Sequence, residues 1–120
     1  MKPLINDTKF GSITIAGEEL SHDVVVHSDG KIEKRKKKLS KAKYGTSHMI
    51  SVEEAKYILD KGAQQLIIGT GQTGYVKLSP DAAAYFKDME CEVLLILTPR
   101  AISAWNDASA DAIGLFHVTC

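Results

Sequence analysis

Cysteine, proline and tryptophan are all scarce in this chain, with two, three and one copy among 120 residues. Two cysteines, Cys91 and Cys120, cannot build the disulfide framework of a small secreted domain. The longest apolar run, Val93 to Leu97, falls far short of the ~20 residues that a membrane-spanning helix needs. The opening Met1-Lys2-Pro3-Leu4-Ile5-Asn6-Asp7 has no apolar stretch of leader type, so the cytoplasm is the expected compartment. No internal repeat appears, and one basic run is the sole biased segment. Net charge is lacking too, since fifteen Lys and Arg balance fifteen Asp and Glu.

What is present has the balance of an ordinary globular domain, 44% hydrophobic and 25% charged. This length fits a single α/β domain over residues 1–120, burying roughly two-thirds of the surface its unfolded form exposes. The zero total hides an asymmetry. Between Lys31 and Lys43 eight basic residues meet one acid, Glu33, so that segment carries +7 and the rest −7. Such an arm suits nucleic acid, an acidic partner or the acidic face of a second copy in a homodimer. The plain alternative is a solvated strand whose charges discourage edge-to-edge aggregation. Nucleic acid is the weaker partner, because base stacking needs aromatics and only Tyr44 lies beside the lysines.

Along the chain, Phe10 to Ile15 alternates as a strand, and the valines of Asp23 to His27 favour a second. Asp29-Gly30 is a hairpin signal that leads into a third strand near Lys31 to Lys36. These three make an expected β-meander. Tyr44 to His48 reads as a loop. Ser51-Val52-Glu53-Glu54 has capping-box form, with the Glu54 carboxylate expected to return to the Ser51 amide. Val52, Ala55, Ile58 and Leu59 then follow at helical spacing, with Gly62 as a left-handed cap. A strand from Gln65 to Ile68 runs into Gly69-Thr70-Gly71-Gln72-Thr73-Gly74. Ser79-Pro80-Asp81 opens a second helix striped by Ala82, Tyr85, Phe86 and Met89. Val93 to Leu97 lacks polar alternation and predicts a strand covered on both faces. A helix holding Ile102 and Trp105 follows to about Asp107, and Ile113 to Val118 is the last strand. The whole is a β-meander joined to a β-α-β-α-β layer, with a mostly parallel sheet and flanking helices.

Parallel strands would bring Gly69 to Gly74, Thr98 to Arg100, and His117 to Cys120 to one sheet edge, where open α/β sheets bind ligands. Gly69-x-Gly71-x-x-Gly74 has dinucleotide-binding spacing, but Tyr75-Val76-Lys77-Leu78 separates it from the next helix. No helix N-terminus therefore faces a pyrophosphate, and no cofactor is expected. Loop amides with Arg100 could instead hold a phosphate or carboxylate. His117 and Cys120 raise a thiol–imidazole pair, set against a core histidine and an ordinary thiol at a mobile position. His22, His27, His48 and His117 with two distant cysteines show no recognised ligand spacing, so no metal is expected. Cys91 and Cys120 should lie about 20 Å apart, at ~3.3 Å per residue, too far for a disulfide.

Phe10-Gly11, Gly45-Thr46-Ser47-His48, Gly69-Thr70-Gly71, Ala101 with Asn106, and Phe116-His117-Val118-Thr119-Cys120 occur in an order that resembles the adipogenesis-associated domain family. That family includes small archaeal and bacterial proteins and a mitochondrial assembly factor for respiratory complex I. The resemblance covers nearly the whole chain and implies a single α/β domain without an established activity. It adds Gly45, Thr46, His48, Gly69, Gly71, Asn106 and His117 as positions that could line a shared site. Lys34 to Lys43 departs from the tryptophan-containing stretch of animal members and looks archaeal in type, so their partner contacts do not carry over.

The expected function is that of a non-enzymatic binding or assembly protein with a groove at the strand carboxyl ends. Its ligand would be a small anion or a protein partner. Thr46, His48, Gly69, Thr70, Gly71, Gln72, Arg100, Asn106 and His117 are the expected ligand-binding residues. Two alternatives stand beside it: a small enzyme on an anionic metabolite with His48 or His117 as base, and nucleic-acid association through the basic arm.

Overall fold

The computed structural model describes residues 2–120. The elements are β1 (Ile5–Lys9), β2 (Ser12–Ile15), β3 (Glu18–Leu20), β4 (Val24–Val26), β5 (Ile32–Lys34), α1 (Lys38–Tyr44), β6 (Met49–Ile50), α2 (Val52–Ile58), β7 (Gln65–Gly69), β8 (Lys77–Leu78), α3 (Pro80–Asp88), β9 (Glu92–Ile96), α4 (Thr98–Asp107) and β10 (Ile113–Phe116). The fold is mixed α/β. A five-stranded sheet of order β5-β4-β10-β7-β9 forms its centre. β10, β7 and β9 run parallel, while β4 and β5 join as an antiparallel hairpin.

Both faces of this sheet are covered at its middle. Val25, Leu66, Ile68, Ile113 and Leu115 point to the side where Ala55 and Ile58 of α2 and Ala82 and Phe86 of α3 pack. Val24, Val26, Ile67 and Phe116 point the other way, toward Ala101 and Trp105 of α4 and the isoleucines of β1 and β2. Alternating side chains that find an apolar cover on either face explain why these strands read as continuous hydrophobic runs. Trp105 sits at the centre of the second layer, edge-on to Phe116 and donating its Nε1–H to the Pro3 carbonyl at 2.8 Å.

The structure departs from several expectations. The β-meander is two separate units: β1-β2-β3 is a small sheet of its own, and β4-β5 belongs to the main one. Phe10-Gly11 is not strand but the turn between β1 and β2, with Gly11 at φ +93°. The basic run is strand only at Ile32–Lys34 and turns into helix α1 from Lys38. α2 ends at Ile58, and Gly62 holds its left-handed φ in a turn beyond the helix. The strand expected to be covered on both faces, β9, lies at the edge of the sheet, leaving Leu95 45% exposed. Among the described residues no helix is long and apolar enough to cross a membrane.

Candidate functional site

The three parallel strands finish level, with Gly69 a register partner of both Ile96 and Phe116. Beyond those ends the glycine loop, the first turn of α4 and residues 117–120 are laced together. Thr98 Oγ1 accepts the Gly71 amide at 2.9 Å and donates to the His117 carbonyl at 2.7 Å. The Gln72 amide donates to Thr119 O at 2.7 Å, and the Tyr75 amide to Cys120 O at 2.9 Å. Gly71 has φ +113°, and a Cβ there would stand 2.5 Å from the Cys120 carbonyl carbon. The glycines thus let backbones approach, and the loop amides donate within the chain. Cys120, at a position expected to be mobile, is held on this loop by its carbonyl, which also accepts the Thr73 hydroxyl at 3.0 Å.

A buried ionic network lies behind that edge. Arg35 donates Nε and Nη2 to the two oxygens of Glu54 at 2.7 and 3.0 Å, a bidentate pair. Its Nη1 donates to Asp23 Oδ2 at 3.0 Å, and Nη2 also to the Ser47 carbonyl. Asp23 further accepts the His117 Nδ1–H at 2.7 Å and the Val118 amide at 2.9 Å. Burial works against the charge on Asp23. The hydrogen bonds from His117 and Val118, with the Arg35 charge, overcome it and bring its pKa down to about 2. Ser51 Oγ accepts the Glu54 amide as the capping box requires, but the Glu54 carboxylate turns to Arg35, and the Ser51 amide finds Ser40 Oγ instead.

A cleft of about 520 Å³ opens beside this network at the carboxyl end of β10. Val118 and Thr119 form one wall, and Asp23 and Arg35 contribute to the lining. His22, Lys34 and Lys37 supply the polar rim, with Lys37 Nζ 3.6 Å from Asp23 Oδ2. None of the nine expected ligand-binding residues lines this cleft. His117 meets its lining through Asp23 and through Thr119, whose Oγ1 lies 3.2 Å from His117 Nε2, and Gln72 through its bond to Thr119. Asn106 is engaged elsewhere, bonding both the amide and the carbonyl of Ile5 and so fastening β1 to α4. Arg100 is exposed in the first turn of α4, and Thr46 Oγ1 accepts the His48 amide in a local turn.

His48 and His117 do come together, with ring centroids 5.4 Å apart, and Cys120 joins them with Sγ 3.7 Å from His48 Nε2. Burial lowers the pKa of His48, and the neighbouring His117, Arg35 and Lys37 add to the effect. Asp23, Arg35, Glu54, Lys34, Lys37 and Cys120 were absent from the expected ligand-binding set. One sign of Arg35 stood in the sequence: it is the lone arginine among seven lysines from Lys31 to Lys43, and a guanidinium suits a buried bidentate pair far better than an ammonium.

A family model described as "Protein of unknown function (DUF498/DUF598)" matches residues 5–112. The chain belongs to the DUF498/DUF598 family. A similar solved structure is the conserved hypothetical protein PH1505 from Pyrococcus horikoshii OT3, at 34% identity, all of both chains covered and a TM-score of 0.90. Another, called MT938, is 33% identical over 99% of this chain and 100% of its own, with a TM-score of 0.82. A Bordetella pertussis protein described as a Mth938-like domain shares the fold at 14% identity and a TM-score of 0.65, over 97% of this chain and 85% of its own. In this DUF498/DUF598 member the laced edge gathers Gly69, Gly71, His48 and His117, while Asn106 and Phe10-Gly11 lie apart from it.

Proposed function

We propose that the protein works by binding, holding a small anionic ligand in the cleft at the carboxyl end of β10. The carrying observation is the placement of Lys34 and Lys37 on a 520 Å³ cleft whose charged lining, Asp23 and Arg35, is already mutually paired. A bound phosphate or carboxylate would meet Lys34 at the rim and share Lys37 with Asp23, leaving the pairing of Asp23 with Arg35 in place. Lys34 and Lys37 of the basic arm stand on that rim, so the arm's exposed lysines would steer anions to the opening and make the on-rate sensitive to salt. A role in assembly, as the resemblance to the adipogenesis-associated domain family suggests, fits a protein that binds and does no chemistry.

Amide chemical shifts recorded during titration with inorganic phosphate and with citrate test this. Saturable shifts are expected at Lys34, Lys37 and Thr119, weakening with added salt and lost in the Lys34→Gln/Lys37→Gln double variant. Shifts that ignore the double substitution, or that never saturate at those three residues, would refute it.

A further inference from the structure

The three donors gathered at the laced edge have a use that anion binding does not touch. We propose that His48, His117 and Cys120 form a three-ligand site for a zinc-class divalent ion. One ligand atom from each lies within 4.8 Å of the other two. Imidazole nitrogen and thiolate sulfur are the donors zinc takes, at about 2.0–2.1 and 2.3 Å, and donors so placed need close in by only about an ångström. Three protein ligands leave the fourth tetrahedral position to water or a small ligand.

Two further features suit a metal better than a chance meeting of side chains. Asp23 Oδ2 holds the Nδ1–H of His117 at 2.7 Å, which leaves Nε2 as the coordinating atom, a lone pair that the Thr119 hydroxyl meets at 3.2 Å and would yield to the ion. A carboxylate that fixes the tautomer and aim of a histidine in this way is the recurrent outer partner of zinc ligands. The backbone that carries two of the donors is also held from separate directions. The Cys120 carbonyl is pinned by Tyr75 and Thr73, the His48 amide by Thr46, and the His48 carbonyl by the Lys77 amide. An isolated thiol–imidazole pair would need only His48 and Cys120. His117 stands beside that pair, its ring centroid 5.4 Å from that of His48, and so supplies a third donor.

Binding breaks the S–H bond of Cys120 and forms a sulfur–metal bond, and the proton passes to buffer. Both imidazoles coordinate as neutral rings, so about one proton is released per ion. No oxidant or reductant is involved.

The test uses the full chain with Zn²⁺ and, as a spectroscopic probe, Co²⁺. One-to-one binding is expected, with a thiolate-to-cobalt charge-transfer band in the near ultraviolet and the strong visible bands of tetrahedral Co²⁺. Cys120→Ser should remove the charge-transfer band, and His48→Ala should weaken Zn²⁺ binding by at least ~10-fold, the scale on which even outer partners act. Cys91→Ser should change neither. Zn²⁺ should also protect Cys120 from iodoacetamide in the native protein. Circular dichroism is the check that each variant folds; His48 is only half-buried, so its loss should leave the core intact. A charge-transfer band that survives Cys120→Ser would overturn the proposal. So would Zn²⁺ binding unaffected by His48→Ala, or no saturable Zn²⁺ binding at all.

Discussion

At position 35 a guanidinium is closed off from solvent, 3% exposed, within a stretch whose neighbours are solvated lysines. Taking a charge out of water is costly unless every donor is met, and Arg35 meets two carboxylates and a carbonyl. Removing the guanidinium would leave Glu54 buried without a cation and Asp23 dependent on His117, Val118 and Lys37. Arg35→Leu is therefore expected to lower unfolding stability by about 3–5 kcal/mol. Lys36→Ala, one residue along and exposed, should stay within about 0.5 kcal/mol of the parent. Urea denaturation of the two variants checks the contrast; equal effects would mean that the run is solvated throughout. Composition could not separate these positions. The difference lies in which residue of the run faces inward after β5, and an uninterrupted row of charges carries no periodicity to show it.

Among elements, the sharpest contrast is between β7 and β9. Both read as apolar strands, yet β7 lies between two neighbours and β9 has only one. Ile67→Ala should cost about 2–5 kcal/mol, since Ile67 is fully buried against the α4 layer. Leu95→Lys should change stability by less than about 0.5 kcal/mol, as at other exposed sites. Thermal melts of both decide it, and a large loss at Leu95 would place a cover over that edge. The parallel trio was legible because caps at Ser51 and Ser79 and the glycines after β7 mark its helices and turns. The strand order was not, because sequence spacing says nothing of which strand lies outermost. β1 is hidden for another reason: Asn6-Asp7-Thr8 is polar, and this strand owes its place to pairing with β2 and to Asn106 clasping Ile5. The laced edge was legible in outline, since parallel strands must end together. The cleft was not, because it depends on Asp23 and Arg35, which enter from the β4-β5 hairpin.

Across the whole molecule, one ion-pair cluster ties that hairpin to the segment after α2. His27 on the far side of β4 sits between Glu33 of β5 and Asp60 beyond α2, at 2.8 and 3.0 Å. Lys31 and Asp29 line the same hollow, and Tyr57 of α2 donates to Glu33. Burial opposes a charge on His27, but the two carboxylates outweigh it and raise its pKa. A raised folded pKa means that the stabilisation is full below the unfolded value of about 6.5 and is lost as pH rises through the folded one. The stability difference between the parent and His27→Gln should therefore shrink as pH climbs above about 6.5, read from urea melts across that range. A difference that grows with pH would mean His27 is neutral in the fold.

The place of β10 has a consequence for how the chain comes to be folded. Among the described residues it is the last strand to be made, yet it sits between β4 and β7 and hydrogen-bonds to both. Until it arrives, the hairpin and the β7-β9 pair have no backbone link. Two open margins, Val24 to Val26 and Leu66 to Gly69, must wait unpaired until residues 113–116 are made, the first of them for about ninety residues. Closure is then a keystone event, slow to start because its contacts span most of the sequence, and the same insertion locks the histidine, the thiol and the cleft wall into place together.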